Sequence, residues 1–245
     1  MLRSVMGIKD YRLQARDGLL GRVDDFFFDD EKWGVRYLVV DTNIWLPGKT
    51  VLIAPASFAG RPDWESKSFP VALTREEVRN SPDVDVHQPV SRQKEIEVNY
   101  YYGWPSYWYA PGQGEVIPTI PLPDGMTSHV QMKETDSHLR SLNEVAGYHI
   151  MAVDGEIGHL DDVIVSDEDW SIRYAVADTR NWLPGKRVLI AISWIKKFDW
   201  GMRKVHIDLT KERIKHSPPY DPSAPINREL EEALFDYYGR PRHWL

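Results

Sequence analysis

The chain contains no cysteine in its 245 residues. That excludes disulfides, iron–sulfur clusters and thiolate zinc sites. It has no run of lysine or arginine, and its net charge is −7. Binding to a phosphate backbone draws on clustered positive charge, so nucleic acid is not an expected partner. No apolar run approaches the roughly 20 residues that span a bilayer, so no transmembrane segment is expected. Met1 to Tyr11 lacks an apolar signal core, which makes a cytoplasmic protein the default expectation. There is no P-loop, no GxGxxG and no Ser/His/Asp order. Aromatic rings are plentiful: ten Trp and twelve Tyr, many at matching places in two halves of the chain.

Those halves are copies of one stretch. Residues 17–54 and 154–191 align without a gap at an offset of 137, with 22 of 38 positions identical. The identities include Asp41-Thr42 with Asp178-Thr179, and Trp45 to Lys49 with Trp182 to Lys186. Downstream the offset becomes 136, pairing Asp63-Trp64 with Asp199-Trp200 and Ser81-Pro82 with Ser217-Pro218. The tails also agree, as Tyr101-Tyr102-Gly103-x-Pro105-x-x-Trp108 and Tyr237-Tyr238-Gly239-x-Pro241-x-x-Trp244. Upstream, Gly7 to Gly18 is about three residues longer than Gly147 to Gly155. A unit of about 100 residues is a domain rather than a solenoid repeat. Two tandem domains follow, at 1–109 and 143–245. Residues 110–142 have no counterpart and are punctuated by Pro and Gly, the composition of a linker.

Within one copy, Gly21 to Asp29 reads as a strand, Asp30-Glu31-Lys32 as a turn and Trp33 to Asp41 as the returning strand. Leu46-Pro47-Gly48-Lys49 carries proline then glycine, as a type II turn requires. Val51 to Ala54 and Phe69 to Leu73 are further strands. Thr74-Arg75-Glu76-Glu77 fits a capping box. The second copy keeps Thr210 but has Arg213 in place of the glutamate, a weaker cap. A longer helix starts after Ser91 or Asn227 and ends before Gly103 or Gly239. Short β-rich strands with helix confined to the end predict a mainly β fold, a small antiparallel barrel or sandwich.

This order of elements resembles the PRC-barrel family. The residues that carry the resemblance are Gly21-x-Val23-x-Asp25, Trp33-x-Val35 to Asp41, Leu46-Pro47-Gly48-Lys49 and Val51-Leu52-Ile53, repeated in the second copy. The YYG-x-P-x-x-W tail resembles one found in bacterial PRC-barrel proteins of unassigned role. The resemblance implies two tandem small β-barrels, each followed by short helices and an aromatic tail. It implies two settings. One is the cytoplasmic domain of the photosynthetic reaction-centre H subunit, which would make this chain an accessory factor of photosynthetic electron transport. The other is the C-terminal domain of the ribosome maturation factor, which would make it a ribosome- or RNA-linked factor. The chain lacks the membrane helix of the first and the partner domain of the second. One fold hosts many roles, so the function class must come from sites.

The carboxylates near the first turn of each copy, Asp24, Asp25, Asp29, Asp30 and Glu31 with Asp161, Asp162, Asp167, Glu168 and Asp169, have no EF-hand spacing. They read as solvated hairpins. Asp41-Thr42 reads as a turn. Arg36 and Arg173 read as partners of hairpin carboxylates or, as the minor reading, anion contacts. No histidine recurs, His159 facing Arg22, so a duplicated metal or catalytic site cannot be built on histidine. No catalytic residue, cofactor or metal is expected, and a small-molecule enzyme is the least favoured class. The dense aromatic tails, Tyr101, Tyr102, Trp104 and Trp108 with Tyr237, Tyr238 and Trp244, either cover the copies or form an interaction surface. The leading expectation is a non-enzymatic protein-interaction or scaffold module built as a pseudo-dimer. A protein is its partner, and homo-oligomerisation is compatible with the repeat.

Overall fold

A computed structural model describes residues 1–86, 90–106, 138–179, 186–242 and 244. Among these residues the protein is mainly β, 38% strand against 21% helix, as its β-rich segments predict. The first copy supplies β1 (Leu2–Ser4), β2 (Arg12–Ala15), β3 (Gly18–Asp29), β4 (Gly34–Asp41), β5 (Thr50–Ile53) and β6 (Ser68–Pro70), then α1 (Arg75–Asn80) and α2 (Arg92–Tyr102). The second supplies β7 (Leu139–Ser141), α3 (Leu142–Val145), β8 (His149–Ala152), β9 (Gly155–Ser166), β10 (Ile172–Asp178) and β11 (Arg187–Ala191). It continues with β12 (Ile195–Asp199), β13 (Lys204–Ile207), α4 (Lys211–Lys215) and α5 (Arg228–Tyr238). One sheet runs β5-β4-β3-β2-β6, and the other runs β11-β10-β9-β8-β13-β12. Neither order returns on itself, so these are two open sheets, not the closed barrels expected.

The repeat extends further than its dense block. Leu2-Arg3-Ser4 and Leu139-Arg140-Ser141 are both strands at an offset of 137. The left-handed residues Asp10 (φ 66°) and Gly147 (φ 89°) keep the same offset. The copies are therefore in register from residue 2, and the three extra residues expected upstream do not exist. Equating Gly7 with Gly147 produced them, whereas the structural equivalent of Gly147 is Asp10. The second copy carries β12 where the first has Ala59 to Asp63, a stretch that Gly60 and Pro62 keep from pairing as a regular strand.

The chain divides into two compact units. One comprises Tyr11–Asp24 and Tyr37–Leu139. Its core holds Leu13, Leu20, Val23, Leu38, Leu52, Ile53, Phe69 and Val78. Ser68 to Pro70 lies parallel beside Arg12 to Gln14. Thr74 caps α1 with the reciprocal Glu77 contact, and Ser91 caps α2, both as the sequence predicts. Thr42 Oγ1 donates to the Lys49 and Leu46 carbonyls, and Asp41 accepts from the Asn43 amide, so Asp41-Thr42 serves the turn. Gly48, at φ 81°, provides the left-handed position of that turn. The equivalent turn at residues 180–185 lies outside the described residues, though Thr179 donates to the Lys186 carbonyl in the same way.

The other unit comprises Met1–Asp10, Asp25–Arg36 and Arg140–Leu245. It joins the second copy to two pieces of the first, and the reason is an exchange of strands. β1 pairs antiparallel with β9, Leu2 to Ser4 facing Ser166 to Ile164. β7 pairs with β3. Ser4 donates to Asp162 and Ser141 donates to Asp25. The Met6 amide donates to Asp162 at 3.0 Å, and the Asn143 amide donates to Asp25 at 3.0 Å. Arg3 meets Asp167 at 3.2 Å and Arg140 meets Asp30 at 2.9 Å. The Ile172 amide donates to the Trp33 carbonyl, and the Val35 amide donates to the Trp170 carbonyl. Trp33 (φ 54°) and Trp170 (φ 58°) are left-handed to do this, a conformation that costs a residue with a side chain roughly 1–2 kcal/mol. Every one of these contacts has its twin 137 residues away.

The exchange corrects the expectation of solvated acidic hairpins. Asp25 and Asp29 are 7% and 2% exposed. Asp29 Oδ1 accepts the Glu31 and Lys32 amides and closes the turn. Burial pushes Asp25 and Asp162 above the usual carboxylate range, against the pull of their serine and amide donors. A raised folded value means that protonation favours the folded state. The stability held this way is present below the unfolded value of about 4 and lost as pH rises through the folded one. Asp162→Asn should therefore gain on the wild type between pH 4 and 7, read as the difference in urea midpoints. Gly158 offers a second check. A Cβ there would lie 2.0 Å from the Asp178 carbonyl oxygen. Gly158→Ala should cost roughly 3 kcal/mol by chemical denaturation, the upper part of the range for single substitutions.

Candidate functional site

The aromatic tails fold onto their own copies. In the unit holding α2, Tyr102 stacks on Trp104 at 4.3 Å between centroids and meets Tyr101 edge-on at 4.9 Å. Trp104 lies 6.4 Å from Tyr37, and Tyr101 donates to the Glu77 carbonyl. In the other unit Tyr238, 2% exposed, packs at 4.7 Å on Trp194 and under the Arg213 guanidinium. Tyr237 donates to the Arg213 carbonyl, repeating the Tyr101 bond 136 residues on. Trp244 meets Phe235 edge-on at 5.1 Å and carries the Arg228 guanidinium over its face at 4.4 Å. Trp108 lies outside the described residues. Of the named aromatic positions, Tyr102, Trp104, Tyr237, Tyr238 and Trp244 are at least partly covered by their own copy. Tyr101 stays 39% exposed, beside Tyr100 at 67%. Burial pushes the Tyr102 and Tyr238 hydroxyls up to about 12.

Beneath the tail of the second copy runs a groove of about 720 Å³. Three elements supply its cations: Arg3 from β1, Arg173 from β10 and Arg228 from α5. Glu168, Glu231 and Trp244 also line it. Each arginine is already met by a carboxylate: Arg3 by Asp167, Arg173 by Asp169 at 3.0 Å and Arg228 by Glu231 at 3.2 Å. The Met1 ammonium also lines the groove and meets Asp167 and Glu168, so each of these cations is paired with a carboxylate. Arginines recur at the three equivalent positions, Arg36 and Arg92 in the first copy and Arg140 on the exchanged β7, a regularity that comparison of dense blocks overlooks because the three lie far apart in sequence. Glu231 of the groove wall accepts from the buried Tyr174 at 2.7 Å, whereas in the first copy Tyr37 donates to Asn99 at 2.8 Å.

A second grouping lies in the same unit, on β9 and β10. His159 faces Asp178 in register, and Asp161 follows His159 two residues along the same strand face. One ligand atom from each of His159, Asp161 and Asp178 lies within 4.8 Å of the other two. His159 Nε2 is 3.9 Å from Asp178 Oδ2, too far for a hydrogen bond. Arg187 donates to Asp161 Oδ2 at 2.7 Å. The sequence reading of isolated histidines missed this cluster, since Asp178 comes from a neighbouring strand. The alternation of His159 and Asp161 on one face, opposite an end-of-strand aspartate, is the signal that points to it.

Compared with known proteins, the chain matches no family model and no curated protein. No helix among the described residues is long and apolar enough to cross a membrane.

The two tyrosine bonds give a direct comparison. A bond to a charged acceptor is worth about 1.5–3 kcal/mol and a neutral one about 1. Tyr174→Phe should therefore destabilise more than Tyr37→Phe, measured by urea unfolding of the two variants side by side.

Proposed function

We propose that this chain is a non-enzymatic interaction or scaffold module, a tandem PRC-barrel-like protein in which two copies form a covalent pseudo-dimer. The observation that carries the reading is the reciprocity of the strand exchange. When residue i of one copy touches j of the other, the equivalent of i touches the equivalent of j. That is the signature of an isologous dimer interface, here within one chain. The PRC-barrel part of the reading rests on the sequence motifs, with the β3 to β5 order following them.

Partner contact falls on the groove beside α5. Arginine and tryptophan are favoured as interface anchors, and Arg173 and Trp244 sit on its walls. Its matched cations and carboxylates suit a protein segment carrying charges of both signs. The test is affinity purification from the native cells after cross-linking, with the wild type beside an Arg173→Glu, Trp244→Ala double variant. The reading expects at least one protein in near-stoichiometric yield with the wild type and depleted about tenfold by the variant, as loss of anchors worth 1.4 kcal/mol or more requires. Equal recovery by both, or nothing above an untagged control, would sink it.

A further inference from the structure

We infer that His159, Asp161 and Asp178 form a site for a first-row divalent cation, of which Zn²⁺ is the reference case, present in the second copy alone. Three observations converge. The ligand atoms belong to one imidazole and two carboxylates, a donor set that suits Zn²⁺ and its neighbours better than Mg²⁺ or Ca²⁺, which prefer oxygen alone. The spacing is that of ligands around an ion rather than of hydrogen-bonded groups. The 3.9 Å between His159 Nε2 and Asp178 Oδ2 exceeds a hydrogen bond. Zinc bonds of about 2.0–2.2 Å put neighbouring ligand atoms roughly 3.4 Å apart, so a small side-chain rotation closes the shell.

The third observation is the contrast with the other copy. The positions equivalent to His159, Asp161 and Asp178 are Arg22, Asp24 and Asp41, all exposed, and there the position of the histidine bears a fixed positive charge. In the second copy that charge is replaced by an imidazole, which has a lone pair to give, while Asp178 is 1% exposed. Arg187, opposite Asp178 on β11, donates to Asp161 Oδ2. The cation would sit among one ligand atom from each of His159, Asp161 and Asp178. With three protein ligands, water or a partner group would complete the coordination, as at open zinc sites.

The first copy also provides the decisive variant. His159→Arg installs the residue that the same fold carries at Arg22. The full-length chain, stripped with EDTA, is titrated with Zn²⁺ by calorimetry, and its thermal midpoint is read with and without the ion. One Zn²⁺ per chain and a raised midpoint are expected. His159→Arg should weaken that binding more than about 100-fold, beyond the roughly 10–100-fold typical of groups that only orient ligands. The exposed pairs His149–Glu156 and His216–Glu212 are the decoys, and His149→Gln with His216→Gln should leave the site intact. If circular dichroism shows His159→Arg unfolded, His159→Gln reads the same loss. No stoichiometric binding, or binding unchanged in a folded His159 variant, overturns the assignment and leaves an ion-pair cluster centred on Arg187.

Discussion

A carboxylate withdrawn from water needs donors, and Asp25 and Asp162 find theirs on a strand from the other copy. Much else in the unit that holds them follows from that requirement. The serine that satisfies each aspartate also accepts from an amide three residues on, Gly7 or Glu144, so the same hydroxyl starts a helical turn. The arginine before it reaches the hairpin acid, Asp167 or Asp30. The hairpins must then present their backbone to the other copy, which is what the left-handed Trp33 and Trp170 achieve. Strain of this kind persists only where its surroundings over-determine it. Two strand pairings and two ion pairs do so here.

The duplication kept the architecture and let the chemistry diverge. The exchange residues Leu-Arg-Ser, Asp25/Asp162, Asp30/Asp167 and Trp33/Trp170 are identical in both copies. The face that holds Arg22 in the first copy holds His159 in the second. The acceptor of the core tyrosine changes from Asn99 to Glu231. A covalent pair allows this. Two identical subunits must change both equivalent sites together, whereas a duplicated chain can specialise one face and leave the other as it was.

Much of the fold was legible in the sequence because it is local. The Pro47-Gly48 turn, the capping box at Thr74, the caps at Ser91 and Asn227 and the left-handed Gly103 and Gly239 each depend on a few adjacent residues. β1 and β7 were not legible, since three residues give no periodicity and their partners lie well over a hundred positions away. The acidic hairpins were misread for a related reason. A charged residue near a turn is solvated unless a distant strand covers it, and composition does not reveal the cover. Of the candidate site, the aromatic tails were visible as a motif, but their direction was not. Tyr238 turns into the core on Trp194, while Tyr101 remains open.

By itself the sequence determined that there are two copies, that each is mainly β with helix at its end, and where the turns and caps fall. Those properties come from backbone preferences and side-chain periodicity, which act over a few residues. Only the tertiary structure decided that the sheets stay open, that the copies trade their leading strands, and that His159, Asp161 and Asp178 meet. These depend on which strand lies beside which. Pairing is set by burying apolar faces and satisfying buried polar groups across long loops, and no local pattern encodes it.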